Sequence, residues 1–445
     1  MCVNSDVPSA ESPTLLILDF DSTLTTTNTL PQFLSILGPE SAQNLSKSWA
    51  ADLKEFEALQ TKRAGSDEKP LVFGEDSCRK KDKARSSRLH EGTKAEKLFP
   101  RLDSAREVEA RSFVRGQKAF SVFTSKERPL KGDLKALIRA HADMCIRNGS
   151  VQLRPGWEIL LDAAVRESGK LQLSVLSVGW SSVWIHACIA AGWAHYLRDI
   201  EAKNSGSSSS IEKNTLMPDS ERSLMGHNDG DGNLFEFVEQ VVHVQCNDVS
   251  SPGPDSNSLS SGLFTASDKL NIMNSMIEAW QVPQASRPSH TRATSLGWTA
   301  TGDVDNKIPP LSARQSGRVV YFGDSPTDIP CLLSLSTSIG ICMRDSSSPL
   351  LLPSLIGRVE EGREVEGKTE QDELYWLLVQ ELDVEVAHVN GLSSSVISSR
   401  CHRERQMKEV DDGNDREPGN RNERRIGKVY WARDFTEVFN SGILS

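Results

Sequence analysis

Asp19-Phe20-Asp21-Ser22-Thr23-Leu24-Thr25 follows directly on Leu15-Leu16-Ile17-Leu18, and this junction decides how the rest of the chain is read. Four consecutive apolar residues without polar alternation suit a short strand buried on both faces of a parallel sheet. Two carboxylates then sit where the strand ends. In open α/β sheets the crevice beyond the carboxyl ends of the strands is where ligands bind. Alternate positions of an extended segment share a face, so Asp19 and Asp21 can address one pocket. A D-x-D alone is a weak signal, because Asp is common in turns after strands.

Arg318-Val319-Val320-Tyr321-Phe322-Gly323-Asp324-Ser325-Pro326-Thr327-Asp328 repeats the pattern: a buried strand, a glycine for a tight exit, then two acids. Thr327 is the expected N-cap of a helix over 328–335, with Pro330 tolerated in its first turn. Leu173-Ser174-Val175-Leu176-Ser177 reads as a third strand, ending in a hydroxyl, and Ser181 is placed to start a helix over 182–191. Lys269 opens an amphipathic helix carrying Ile272, Met273, Met276, Ile277 and Trp280 on one face.

In chain order these segments are D-x-D-x-T, a strand-terminal Ser, a Lys and G-D-S-x-x-D. Together they resemble the four motifs of the haloacid dehalogenase (HAD) superfamily of phosphohydrolases. The resemblance implies an α/β fold: a Rossmann-like parallel sheet with the Asp19 strand central and a mainly helical cap inserted after the first strand. It also implies Mg²⁺-dependent hydrolysis of a phosphate monoester. Asp19 would be the nucleophile that forms an aspartyl-phosphate, and Asp21 the general acid and then base. Thr23, Ser177 and Lys269 would bind phosphate or hold its loop. Asp19, the Asp21 carbonyl and Asp324 would ligate the metal, with Asp328 orienting the shell. Relatives that act as dehalogenases lack the second acid, and the phosphate-pumping ATPases usually carry Thr there, so Asp21 favours a phosphatase. The alternative from another class is a catalytically weak HAD scaffold that binds a partner.

The D-F-D-S-T wording and the cap position resemble phosphoserine phosphatases, and the chain as a whole resembles uncharacterised fungal HAD-like hydrolases. Phosphoserine as the substrate does not follow from the resemblance. Those phosphatases carry an acid eight or nine positions after the nucleophile, where this chain has Thr27-Asn28, and Gly-Gly after the second-motif Ser, where it has Val178-Gly179-Trp180. Trp180 fits either a flat, apolar leaving group or a core role.

The chain has 445 residues, of which 37% are hydrophobic, and its mean hydropathy is -0.40. That predicts one catalytic core, 13–30 with 151–445, and a helical cap over 31–150. Leu45, Trp49, Leu53 and Phe56 recur at helical spacing within the cap, as do Leu134, Leu137, Ile138 and Cys145. Segments rich in Ser, Gly, Asn, Pro or mixed charge predict disordered insertions at about 203–233, 250–261, 284–317 and 393–425, and a loop over 65–101. Pro155 is expected near the first position of a helix ending at Gly169. A strand is expected over 241–244, and a tail over 426–439 docked on the core.

Lys plus Arg total 51 against 61 Asp plus Glu, a formal charge of -10, which predicts no attraction to nucleic acid or an anionic membrane. Eight cysteines show no C-x-x-C pair, as expected of reduced thiols. No long apolar run occurs and the first 13 residues lack a signal-peptide pattern. A cytoplasmic protein acting on a small phosphorylated metabolite is expected, in an oligomeric state left open. The basic stretch 79–85 reads as a solvated loop, or else as a nuclear-import patch. Histidines 186 and 243 lack partners at metal-ligand spacing and read as structural.

Overall fold

The computed structural model describes residues 13–64, 94–124, 134–167, 170–206, 230–249, 262–281, 317–345, 370–391 and 429–444. In chain order its strands and α-helices are β1 (Thr14–Leu18), α1 (Leu30–Leu34), α2 (Pro39–Ala64), α3 (Lys94–Leu102), α4 (Arg106–Thr124), α5 (Leu134–Arg147), α6 (Trp157–Arg166), β2 (Leu171–Leu176), α7 (Ser182–Gly206), α8 (Gly230–Val241), β3 (Val242–Gln245), α9 (Ala266–Gln281), β4 (Arg318–Gly323), α10 (Ile329–Leu332), β5 (Ile339–Met343), α11 (Glu370–Trp376), β6 (Val386–His388), β7 (Val429–Ala432) and α12 (Phe435–Asn440). The strands form one Rossmann-like sheet in the order β3-β2-β1-β4-β5-β7-β6, and every pairing is parallel.

Burial explains why β1 has no polar alternation. Leu16 and Leu18 feed the core on one face, while Leu15 and Ile17 feed the core on the other. β4 does the same with Val320 and Phe322 against Val319 and Tyr321. Each such side chain removed from water contributes about 1.5–3 kcal/mol. β1 lies inside the sheet between β2 and β4, and β4 takes the middle position.

After Thr25 the chain leaves the sheet, and it returns at Leu153; these two residues pair in an antiparallel bridge. The described residues between them are built of α1 to α5 and short turns. Phe33 stacks on Phe120 at 4.9 Å and tilts against Trp184 of α7 at 5.6 Å. Phe113 of α4 meets Trp180 edge-on at 5.9 Å and Phe264 at 5.7 Å. Aromatic rings therefore hold the helical insertion against the sheet domain.

Several expectations need correction. α7 runs beyond 191 to Gly206, because Trp193 and Leu197 continue its buried face. α3 occupies the end of the expected 65–101 loop and buries Leu98. The helix after β4 is capped by Ser325, not Thr327: a 3₁₀ turn over Pro326–Asp328 carries a reciprocal Ser325/Asp328 capping box and leads into α10. α6 starts at Trp157, behind Gly156 at φ +82°; a Cβ on Gly156 would lie 2.4 Å from the Thr436 nitrogen. Trp49 and Leu137 are 38% and 37% exposed, so helical spacing located α2 and α5 without showing which way those residues face. The tail does more than dock, since β7 enters the sheet between β5 and β6. The expected features at 65–93, 207–229, 250–261, 284–316 and 393–425, together with Gly169, lie outside the described residues.

Candidate active site

Strand register assembles the site. Leu18 is level with Val175 of β2 and Phe322 of β4, so Asp19, Ser177 and Asp324 leave the sheet side by side at its carboxyl edge. Backbone bonds continue the ladder into these exits: Asp19 N–H donates to the Phe322 carbonyl at 2.9 Å, and Ser177 N–H to the Gln245 carbonyl at 3.0 Å.

Lys269 reaches this edge from the first turn of α9. Thr265 and Asp268 set that turn: the Asp268 carboxylate accepts Thr265 N–H at 3.1 Å, and Thr265 Oγ1 accepts Asp268 N–H at 3.2 Å. The wholly buried Lys269 Nζ donates to Asp19 Oδ2 at 2.8 Å and to Asp328 Oδ1 at 2.6 Å. Asp328 is saturated. Its Oδ1 also accepts the Tyr321 hydroxyl at 2.6 Å, and its Oδ2 accepts Asp324 N–H, Ser325 N–H and the Ser325 hydroxyl at 3.0–3.1 Å. Gly323 allows this close packing, since a Cβ there would lie 2.4 Å from Asp328 Cγ.

Thr23 Oγ1 donates to Asp324 Oδ1 at 2.7 Å, so its hydroxyl holds an acid of the site. Asp21 turns Oδ1 to Thr29 N–H at 2.6 Å, and the Thr29 hydroxyl accepts the Trp184 indole N–H at 3.0 Å. Ser177 Oγ accepts Gly179 N–H at 3.0 Å, which leaves its own hydroxyl hydrogen to donate. A Cβ on Gly179 would lie 3.1 Å from Ser177 Oγ and 3.9 Å from Asp21 Oδ2, so this glycine keeps the space between the two residues open. Trp180 is 7% exposed, and its ring stands where a Cβ on Gly116 of α4 would go. Its face is taken by packing, the core role.

Ligand oxygens of Asp19, Asp324 and Asp328 lie within 4.8 Å of one another, all buried. Three carboxylates against one ammonium leave an excess of negative charge in a poorly solvated site. The consequence falls on the acidities of Asp19 and Asp324. Burial pushes the Asp19 carboxyl up against the opposing pull of Lys269, and burial with Asp19 and Asp328 pushes Asp324 well above its ordinary range. Burial also raises Asp21. For Lys269, burial works against the ammonium, but Asp19 and Asp328 outweigh it and keep it charged. An all-oxygen, electron-rich set of this kind suits a hard divalent cation such as Mg²⁺.

Asp19, Thr23, Ser177, Lys269, Asp324 and Asp328 thus converge, with Asp21 on the adjoining turn. Sequence reasoning missed Tyr321, Thr29 and Arg154. Tyr321 left a trace, because a tyrosine inside a strand buried on both faces needs a partner for its hydroxyl. Thr29 acts on Asp21 through its backbone and left none. His186 is structural, with Nε2 2.9 Å from the Val242 carbonyl.

No family model and no curated protein matches this sequence. Among solved structures the chain is similar to a HAD family hydrolase from Salmonella enterica subsp. enterica serovar Typhi. The likeness covers 74% of this chain and 63% of the other, at 11% identity and a TM-score of 0.27. The reading of the site therefore rests on its own geometry. No helix among the described residues is long and apolar enough to cross a membrane.

Proposed function

We propose that this protein is a HAD-type phosphatase that hydrolyses a small phosphate monoester through an aspartyl-phosphate. The observation that carries the reading is the buried Lys269 ammonium bridging Asp19 and Asp328, residues 250 and 59 positions away in the chain. Such convergence at strand ends is placed for ligand chemistry. A salt bridge of this burial is costly to build for stability alone.

Phosphate monoesters repel an incoming anion, so the site must neutralise charge and align the nucleophile with the leaving oxygen. Lys269 and the Ser177 hydroxyl are the donors for phosphoryl oxygens. A carboxylate oxygen of Asp19 attacks phosphorus while the bond to the leaving alcohol breaks, and Asp21 gives that alcohol its proton. Burial raises the Asp21 carboxyl, which suits a group that must hold a proton before passing it on. Asp21 then takes a proton from water, which attacks the phosphoryl group and frees Asp19. Asp19, the Asp21 carbonyl and Asp324 would hold Mg²⁺, oriented by Asp328; the ion supplies charge neutralisation at the phosphoryl group.

A helical insertion over the strand ends favours small metabolites, because closure excludes both water and bulky chains. With a net charge of -10, neither nucleic acid nor an anionic membrane is proposed as a partner, and the cytoplasm is the place proposed for the protein. The test is phosphate release in Mg²⁺ from a panel of p-nitrophenyl, sugar, amino-alcohol and nucleoside monophosphates. Wild type should turn over at least one ester, while folded Asp19→Asn should release nothing. If both proteins are folded and inert, the scaffold reading replaces this one.

A further inference from the structure

Arg154 is the largest fully buried side chain among the described residues, and it lies outside the reacting groups named above. Its guanidinium makes four bonds to three loops at the carboxyl end of the sheet. Nε donates to the Thr23 carbonyl at 2.9 Å and Nη2 to the Ser22 carbonyl at 2.6 Å. Nη1 donates to Asp345 Oδ1 at 2.9 Å, after β5, and to the Arg433 carbonyl at 2.8 Å, after β7. Its backbone N–H donates to the Leu24 carbonyl at 2.8 Å, where the returning linker of the insertion meets the outgoing one.

The turn it grips is strained. Ser22 has φ +56°, a left-handed conformation that a non-glycine residue holds only where its surroundings over-determine it. Ser22 N–H donates to Thr25 Oγ1 at 3.1 Å and the Thr27 carbonyl at 3.3 Å, and Arg154 holds the other side of the same residue. Ser22 stands between Asp21 and Thr23, and Thr23 carries the bond to Asp324. A change at Ser22 therefore moves the proposed acid and a proposed metal ligand together. A rigid fork of donors can span these carbonyls, which a single ammonium cannot.

We infer that Arg154 is a positioning residue that locks the Ser22–Thr23 turn, so that Asp21 and Asp324 stay aligned on Asp19. This rests on the phosphatase reading, and two measurements on Arg154→Lys test it. Turnover of p-nitrophenyl phosphate in Mg²⁺ should lose about 100-fold in kcat, with KM little changed. Amide exchange of Ser22 and Thr25 should quicken about tenfold or more, while Val175 and Val320 stay protected. Unchanged kcat per folded molecule overturns the inference, as does exchange that rises throughout the sheet or not at all in the turn. If Arg154→Lys does not fold, Asp345→Asn weakens one of the four bonds and leaves the carbonyl acceptors. It should show the same selective exchange with a smaller loss in kcat, and wild-type values for both overturn the inference. An inert wild-type control marks failure of the phosphatase reading, and the selective exchange tells that apart from failure of the clamp.

Discussion

At the strand ends, Asp19, Asp324 and Asp328 gather round Lys269 through charge and directed hydrogen bonds. At the seam of the helical insertion, Phe33, Phe113, Phe120, Trp180 and Trp184 meet through ring packing, with the Trp184 indole N–H on the Thr29 hydroxyl and the Arg106–Asp268 pair beside them. The two regions should fail differently. Removing one partner of the polar cluster leaves the others buried and uncompensated, whereas the seam answers to volume and shape.

The largest effect is expected at Lys269. Lys269→Met strands Asp19 and Asp328 without their cation and should cost about 3–5 kcal/mol in denaturant unfolding, besides abolishing turnover. A cost near zero would mean that Asp19 and Asp328 take up protons in place of the lost cation, so that the ion pair adds no net stability.

An effect of similar order should appear with pH once divalent cations are removed by chelation. The folded-state pKa of Asp19 is raised from 3.8 to about 7, so the native protein holds a proton that the unfolded chain releases. That stability is fully present below pH 3.8 and is lost as pH rises through about 7. Thermal unfolding in EDTA should therefore show a lower midpoint at pH 8 than at pH 5 through this contribution. Mg²⁺ should restore part of the loss at the higher pH. In Asp324→Asn, which relieves the repulsion, the fall should be shallower; an identical fall breaks the account of the cluster.

The seam sharpens the comparison at smaller cost. Gly116→Ala places a Cβ about 2.4 Å from the Trp180 ring, and overpacking of this kind costs about 1–3 kcal/mol. Combining it with Trp180→Leu should recover part of that loss in a double-mutant cycle, whereas strict additivity would show that the two positions do not meet. The smallest change is Tyr321→Phe, which removes one of the donors on Asp328 and should cost about 1 kcal/mol in denaturant unfolding.

The same contrast explains what could be read in advance. β1 and β4 were legible because strands buried on both faces must be continuously apolar, and the acids that follow them fall at the ligand-binding edge. The Lys269 helix was legible through its apolar face. The seam was not, since Phe33, Phe113 and Trp184 are far apart in the chain and ordinary as single residues. Sheet order beyond β4 was hidden for another reason: β6 has three residues and no usable period, and β7 reaches the sheet from the far end of the chain. Arg154 carried no periodic signal either, because its meaning lies in three loops that only the fold brings together.

The most direct test of the central claim is to trap the covalent intermediate. Wild-type protein turning over p-nitrophenyl phosphate in Mg²⁺ is quenched in acid, digested and analysed by mass spectrometry. A phosphoryl group on Asp19, absent in Asp19→Asn, is the predicted result. Phosphate release with the phosphoryl group on another residue, or persisting in Asp19→Asn, would contradict the assignment of Asp19 as nucleophile.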